Sequence, residues 1–118
     1  AMAKAGVIYG MGTDSGPSAR FPGYFAHWEL ELMVEAGVTP LQALTAATGT
    51  NARFLNANDI GTVEPGKWAD LLVLDRDPTA DIRNTRAIHS VYVAGNKLPT
   101  IWEICTGRPA NACGAPQP

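Results

Sequence analysis

The stretch "GVIYGMGTDSG", residues 6–16, constrains the fold more than any other. A short apolar run, Val7 to Met11, is bounded by glycines and ends in Gly-Thr-Asp-Ser-Gly. Such a run reads as a buried strand of the kind found in parallel sheets. A buried parallel strand needs neighbours on both sides, and the next residues turn away from β structure. "TDSGPS" reads as a loop at the strand's C-terminal end, and Pro22 and Gly23 prolong it.

From Phe25 the period becomes helical: Ala26, Leu30, Met33, Val34 and Gly37 share one face, while Glu29, Glu31 and Glu35 lie mostly off it as a solvated side. Gly37 suits a helix stop. Thr39, Pro40 and Gln42 form a capping-box signature for a second helix that ends at Gly49, and Asn51 is placed to cap a third. The character then turns to β. Pro65 and Gly66 suit the centre of a type II turn, and "ADLLVLD" reads as a strand. Gly95-Asn96 reads as a two-residue hairpin turn between Ser90–Ala94 and a strand from Lys97 onward. Ala1 to Ala5 read as the last turn of a helix closed by Gly6, and the Gly-, Pro- and Ala-rich end as a poorly ordered tail.

With 118 residues, 46% hydrophobic and 17% charged, the chain has the means for one small core. A net charge of −2 without a basic cluster speaks against nucleic acid. No apolar run nears the roughly 20 residues that span a bilayer. The N-terminus makes a poor signal peptide and an unnatural start, so the compartment stays open, with the cytoplasm favoured over export. Cys105 and Cys113 match no zinc spacing and read as incidental thiols rather than a local disulfide.

Asp14 is the leading candidate for chemistry. A carboxylate at the end of a parallel strand stands where α/β enzymes collect reactive groups, and it can bind a divalent metal or move a proton. Asp-Ser-Gly-Pro is equally good turn chemistry, and spacing does not separate the two. His27 opens a helix, where it can contact substrate or metal, but a hydrogen-bonded role in fixing the loop is favoured. His89 reads as a surface or packing residue, and Trp28, Trp68 and Trp102 as packing anchors. The chain has two histidines, no H-x-H and no H-E-x-x-H, whereas a catalytic zinc needs about three protein ligands. A complete active site is therefore not legible.

Taken in order, "GVIYGMGTDSG", "HWELELMVEAGVTPLQALTAATGTNARFLN", "DIGTVEPGKWADLLVLDRDPTADIRN" and "IHSVYVAGNKL" resemble the C-terminal third of metal-dependent amidohydrolases, in the imidazolonepropionase-like and Xaa-Pro-dipeptidase-like branch. The resemblance runs from about Lys4 to Leu98. It implies an α/β chain: the last strand of a TIM-like barrel (residues 7–13), the helices after it (26–56), then the C-terminal strands of a small β-sandwich (59–98). Units of 1–58, 59–98 and a tail of 99–118 follow. A closed barrel takes about 250 residues, so the barrel is incomplete and an N-terminal portion is a missing partner.

The resemblance also implies that Asp14 contacts the metal-bound water, accepts its proton and passes it to the leaving group as a C–N bond of a small amide is hydrolysed. The metal, zinc by expectation, would be held mainly by upstream residues, so this chain alone is expected to bind none and to be inactive. The other reading is a non-catalytic α+β module that self-associates through an unpaired strand edge or docks on a partner.

Overall fold

The computed structural model describes residues 5–16 and 21–99; the tail, Trp102, Cys105, Cys113 and all of the opening helical turn but Ala5 lie outside the described residues. Helix α1 spans Tyr24–Glu35. It ends as the sequence predicts: Gly37 turns left-handed (φ 92°), its N–H bonds Val34 O at 2.9 Å, and Val38 N–H reaches back to Met33 O at 3.1 Å. This pair of bonds satisfies carbonyls that the helix end would otherwise leave bare.

Helix α2 (Pro40–Thr45) starts on the predicted capping box. Thr39 Oγ1 accepts from Gln42 N–H at 3.3 Å, and Gln42 Oε1 accepts from Thr39 N–H at 3.0 Å. The helix does not stop at Gly49. The chain winds on through a π-helical turn, Ala46–Thr50, into α3 (Asn51–Phe54). Asn51 is therefore no cap: Thr50 before it is already helical, with φ −71° and ψ −43°. The close approach here is made by Gly61, facing Gly49 of this helix. A Cβ on Gly61 would meet Ala52 Cβ at 2.5 Å and Gly49 Cα at 3.3 Å, so the glycine at 61 lets the loop backbone touch the helix.

Strands β1 (Leu71–Leu74), β2 (Ile88–Val93) and β3 (Asn96–Lys97) form one antiparallel sheet in the order β1-β2-β3. Leu71 pairs with Tyr92, Val73 with Ser90 and Leu74 with Ile88, so His89 is the extra residue of a bulge. The hairpin turn sits one residue earlier than the sequence suggests. Val93 pairs with Asn96, and the central residues are Ala94 (φ 51°) and Gly95 (φ 77°). Both have positive φ, as the twist of a two-residue hairpin demands. Ala94 tolerates this geometry because its N–H is held by Asp70 Oδ1 at 2.8 Å. Upstream, the type II turn is as expected: Gly66 has φ 87°, and Lys67 N–H bonds Glu64 O.

The predicted strand at residues 7–13 is not one. Among the described residues the segment is extended but joins no ladder; Val7 is 48% exposed and Ile8 66%. A parallel strand gains its stability from neighbours that pair its backbone, and among the described residues no strand adjoins this one. The core is built elsewhere, from Leu30 of α1, Ala43 of α2 and Ile82, with Met11, Met33, Val34, Val38, Leu44 and Ala47 packed on it. Ile82 opens a 3-10 turn, Ile82–Arg86, at the end of the polar stretch "DRDPTADIRN", whose composition predicts a connector. Asp81 caps it by accepting from Arg83 N–H at 3.0 Å, which is the main reason its carboxyl is held below the usual range.

Candidate active site

The candidate site is the end of the extended segment, Gly12 to Gly16. Asp14 has φ 48°, a left-handed conformation that Asp tolerates better than most residues. Gly16 follows at φ 136°. The hydroxyls of Thr13 and Ser15, on either side of Asp14, lie 2.6 Å apart and share a hydrogen bond. The backbone thus leaves its extended path at the carboxylate.

Two side chains fix the approach to this turn. Asn51 Nδ2 donates to Met11 O at 2.7 Å, and Glu29 Oε1 accepts from Gly12 N–H at 2.9 Å. Gly10 is required at this contact, because a Cβ there would lie 2.1 Å from Asn51 Oδ1 and 3.1 Å from the Phe54 ring. Glu29 is consequently not part of a solvated face. Its second oxygen, Oε2, is buried with no hydrogen-bond partner among the described residues. Glu31 also departs from expectation: its Oε1 accepts from Arg86 Nε at 2.9 Å and Nη2 at 2.6 Å, joining α1 to the 3-10 turn.

His27 is on the other side of α1. Residues two apart on a helix face different ways. Phe25, Trp28, Glu29 and Leu32 border a hollow with Gly12 and Thr13. Ala26, His27 and Leu30 border a mostly apolar groove against Trp68, Leu72 and Thr85. The structure therefore does not bring His27 and Asp14 together. His27 Nδ1 lies 2.9 Å from Thr85 Oγ1, whose proton goes to Ile82 O at 2.9 Å. That network assigns the hydrogen to His27 Nδ1. Burial, then the nearby Arg86 charge, hold the imidazole below its ordinary pKa, against an opposing pull from Glu31.

The other sequence candidates are peripheral. His89 Nδ1 lies 3.0 Å from Asp75 Oδ1 on the exposed face of the bulge. Trp28 and Trp68 are not buried anchors. Trp28 is 42% exposed and meets the Phe25 ring at a tilt of 59°, with ring centroids 5.3 Å apart. Trp68 is 57% exposed and donates from Nε1 to Asp59.

Among the described residues no three His, Cys, Asp or Glu side chains group closely enough to hold a metal ion. These residues do not form a metal centre by themselves. No described helix is long and apolar enough to cross a membrane.

The family model for the amidohydrolase family matches residues 1–98, from the extended segment through the last strand. The chain belongs to the amidohydrolase family. That family is generally metal-dependent. The amidohydrolase chain is 39% identical over 101 residues to the imidazolonepropionase of Cutibacterium acnes, covering 86% of this chain and 23% of that protein. Among solved structures it is similar to molinate hydrolase, with a TM-score of 0.78 and 32% identity over 82% of this chain and 24% of the other. A Xaa-Pro dipeptidase with methionine bound in its active site gives a TM-score of 0.74 at 30% identity, over 83% of this chain and 24% of the other. The chain thus spans about a quarter of the length of these relatives.

The residue that sequence reasoning missed is Glu29. Its pattern is that of an exposed helix position, and only the folded-back segment reveals its partner. The sequence pattern suggests a local capping role for Asn51, whereas its side-chain contact is 40 residues away in sequence.

Proposed function

We propose that this chain is the part of an amidohydrolase that supplies its proton-transferring carboxylate, Asp14, for hydrolysis of a C–N bond in a small amide or cyclic amide. Hydrolysis adds water across the bond. The proton lost by the attacking water must reach the departing nitrogen, and one carboxylate oxygen at the reacting centre serves both steps. Asp14 accepts the proton as the C–O bond forms and releases it to nitrogen as the C–N bond breaks.

In this reading residues 7–13 take the place of the last barrel strand and residues 59–98 a share of a β-sandwich. Units of 1–58 and 59–98 follow from it. The remaining strands, the metal ligands other than Asp14 and most of the substrate pocket would belong to the N-terminal portion of such a protein. His27 holds the 3-10 turn and does not touch substrate. The observation that carries the proposal is the placement of Asp14, in the Gly-Thr-Asp turn, where an extended segment leaves its path with its last peptide fixed by two helices.

The test begins with the reading frame upstream of Ala1, which is expected to encode an H-x-H. In the protein so defined, Asp14→Asn is expected to lower kcat by about a hundredfold to ten-thousandfold with an unchanged far-UV CD spectrum. Turnover at the wild-type rate in that variant would sink the assignment.

A further inference from the structure

Asn51 Nδ2 and Glu29 Oε1 hold Met11 O and Gly12 N–H, and these two groups belong to one peptide unit. We propose that Glu29 and Asn51 are positioning residues for Asp14, acting by gripping both polar ends of the Met11–Gly12 peptide. The proposal rests on the catalytic reading of Asp14.

A peptide group is planar and rigid, so fixing its oxygen and its nitrogen fixes its orientation. Only the torsions of Gly12, Thr13 and Asp14 then separate that plane from the Asp14 carboxylate. The two grips come from different helices, Glu29 from α1 and Asn51 from α3. The position of the carboxylate is thereby referred to the packed helical core rather than to the loop that follows. The Met11 side chain, packed on the core cluster, anchors the same peptide from a third direction.

The state of Glu29 argues that this contact has a use beyond docking. A surface glutamate loses little by staying in water, whereas Glu29 buries Oε2 with no hydrogen-bond partner among the described residues. Leaving a polar atom so costs stability. A hydrogen bond accepted by a carboxylate is shorter and stronger than a neutral one, so the arrangement trades stability for a stiffer hold on Gly12. Gly12 itself has open space around the position of a Cβ, so its N–H direction is set by the carboxylate and not by crowding.

The experiment uses the full protein that carries this chain. Glu29→Ala and Asn51→Ala are each expected to lower kcat by about tenfold or more, with KM and far-UV CD unchanged, because a small misplacement of a reacting group is costly. Glu29→Gln, whose amide oxygen still accepts from Gly12, is expected to recover most of kcat. The Gly12 amide proton resonance is expected to move upfield in Glu29→Ala and to stay near its wild-type position in Glu29→Gln. Should Glu29→Ala fail to fold, Asn51→Ala and Glu29→Gln carry the same comparison. Wild-type kcat in the alanine variants, or a Gly12 amide that does not respond to Glu29, overturns the proposal. If Asp14→Asn is inactive while both alanine variants keep full kcat, this inference alone fails. If Asp14→Asn keeps full turnover, the catalytic reading fails and takes this one with it.

Discussion

Two extended stretches of this chain have similar apolar sequences and opposite fates. Leu71–Leu74 becomes β1, paired along its length with β2. Val7–Met11 is extended and joins no ladder among the described residues. Intrinsic preference accounts for part of the difference, since Gly10 interrupts the first run whereas Leu71–Leu74 is continuously aliphatic. What differs besides is the distance to a partner. The partner of β1 lies within the same short stretch of chain, tied by a 3-10 turn, and β2 in turn meets β3 through a two-residue hairpin. Parallel pairing needs a crossover of a dozen residues or more, and among the described residues no other run returns beside Val7. The segment's end is held instead by side chains, Asn51 and Glu29, on a core that includes Met11.

The contrast is best broken at Gly10. Gly10→Ala would drive a Cβ into Asn51 and Phe54, at a cost of about 1–3 kcal/mol for overpacking. The expected outcome is local: the Gly12 amide, held by Glu29, loses hydrogen-exchange protection, while the β1 and β2 amides keep theirs. Loss of protection in the sheet as well would show that the two regions fold as one unit.

A smaller effect sharpens the other side. Ala94 occupies a left-handed position in the hairpin at φ 51°. Ala94→Gly relieves that strain while adding flexibility to the unfolded chain, for a net gain of about 0.5–1 kcal/mol in denaturant unfolding. A loss of stability would mean that the added freedom of the unfolded chain outweighs the relieved strain.

The smallest effect concerns pH. Burial and Arg86 depress the His27 pKa in the folded chain, with Glu31 opposing. The unfolded chain takes up a proton near pH 6.5, the folded chain only below it. The His27 contribution is thus present above that value and lost as pH falls through it toward the folded pKa. In thermal unfolding across this range, wild type is expected to lose more stability on the acid side than His27→Gln. Equal slopes would remove His27 as the cause.

Much of the fold was legible because its signals are local. Thr39-Pro40-Gln42, Gly37 and Pro65-Gly66 each act within a few residues, and each appears in the structure as read. The hairpin was placed one residue off, since Gly95-Asn96 fits the turn rule and only pairing of Val93 with Asn96 shows Ala94 taking the strained position. Ile82 was hidden among polar residues and became core because α1 packs over it. At the site, Asp14 could be singled out from an ordered resemblance, whereas Glu29 could not. A glutamate on a helix flank looks the same whether it meets water or a backbone amide from a distant segment.

The amino-acid sequence by itself determined the first two helices, the Gly37 stop, the Thr39 cap, the Pro65-Gly66 turn and the family to which the chain belongs, since these rest on patterns carried by neighbouring residues. Only the tertiary structure decided that the Gly-Thr-Asp turn is held through one peptide by Glu29 and Asn51, and that His27 faces away from it. The physical reason is that these contacts join residues far apart in the chain, and a hydrogen bond between them exists only once packing has brought the helices and the segment together.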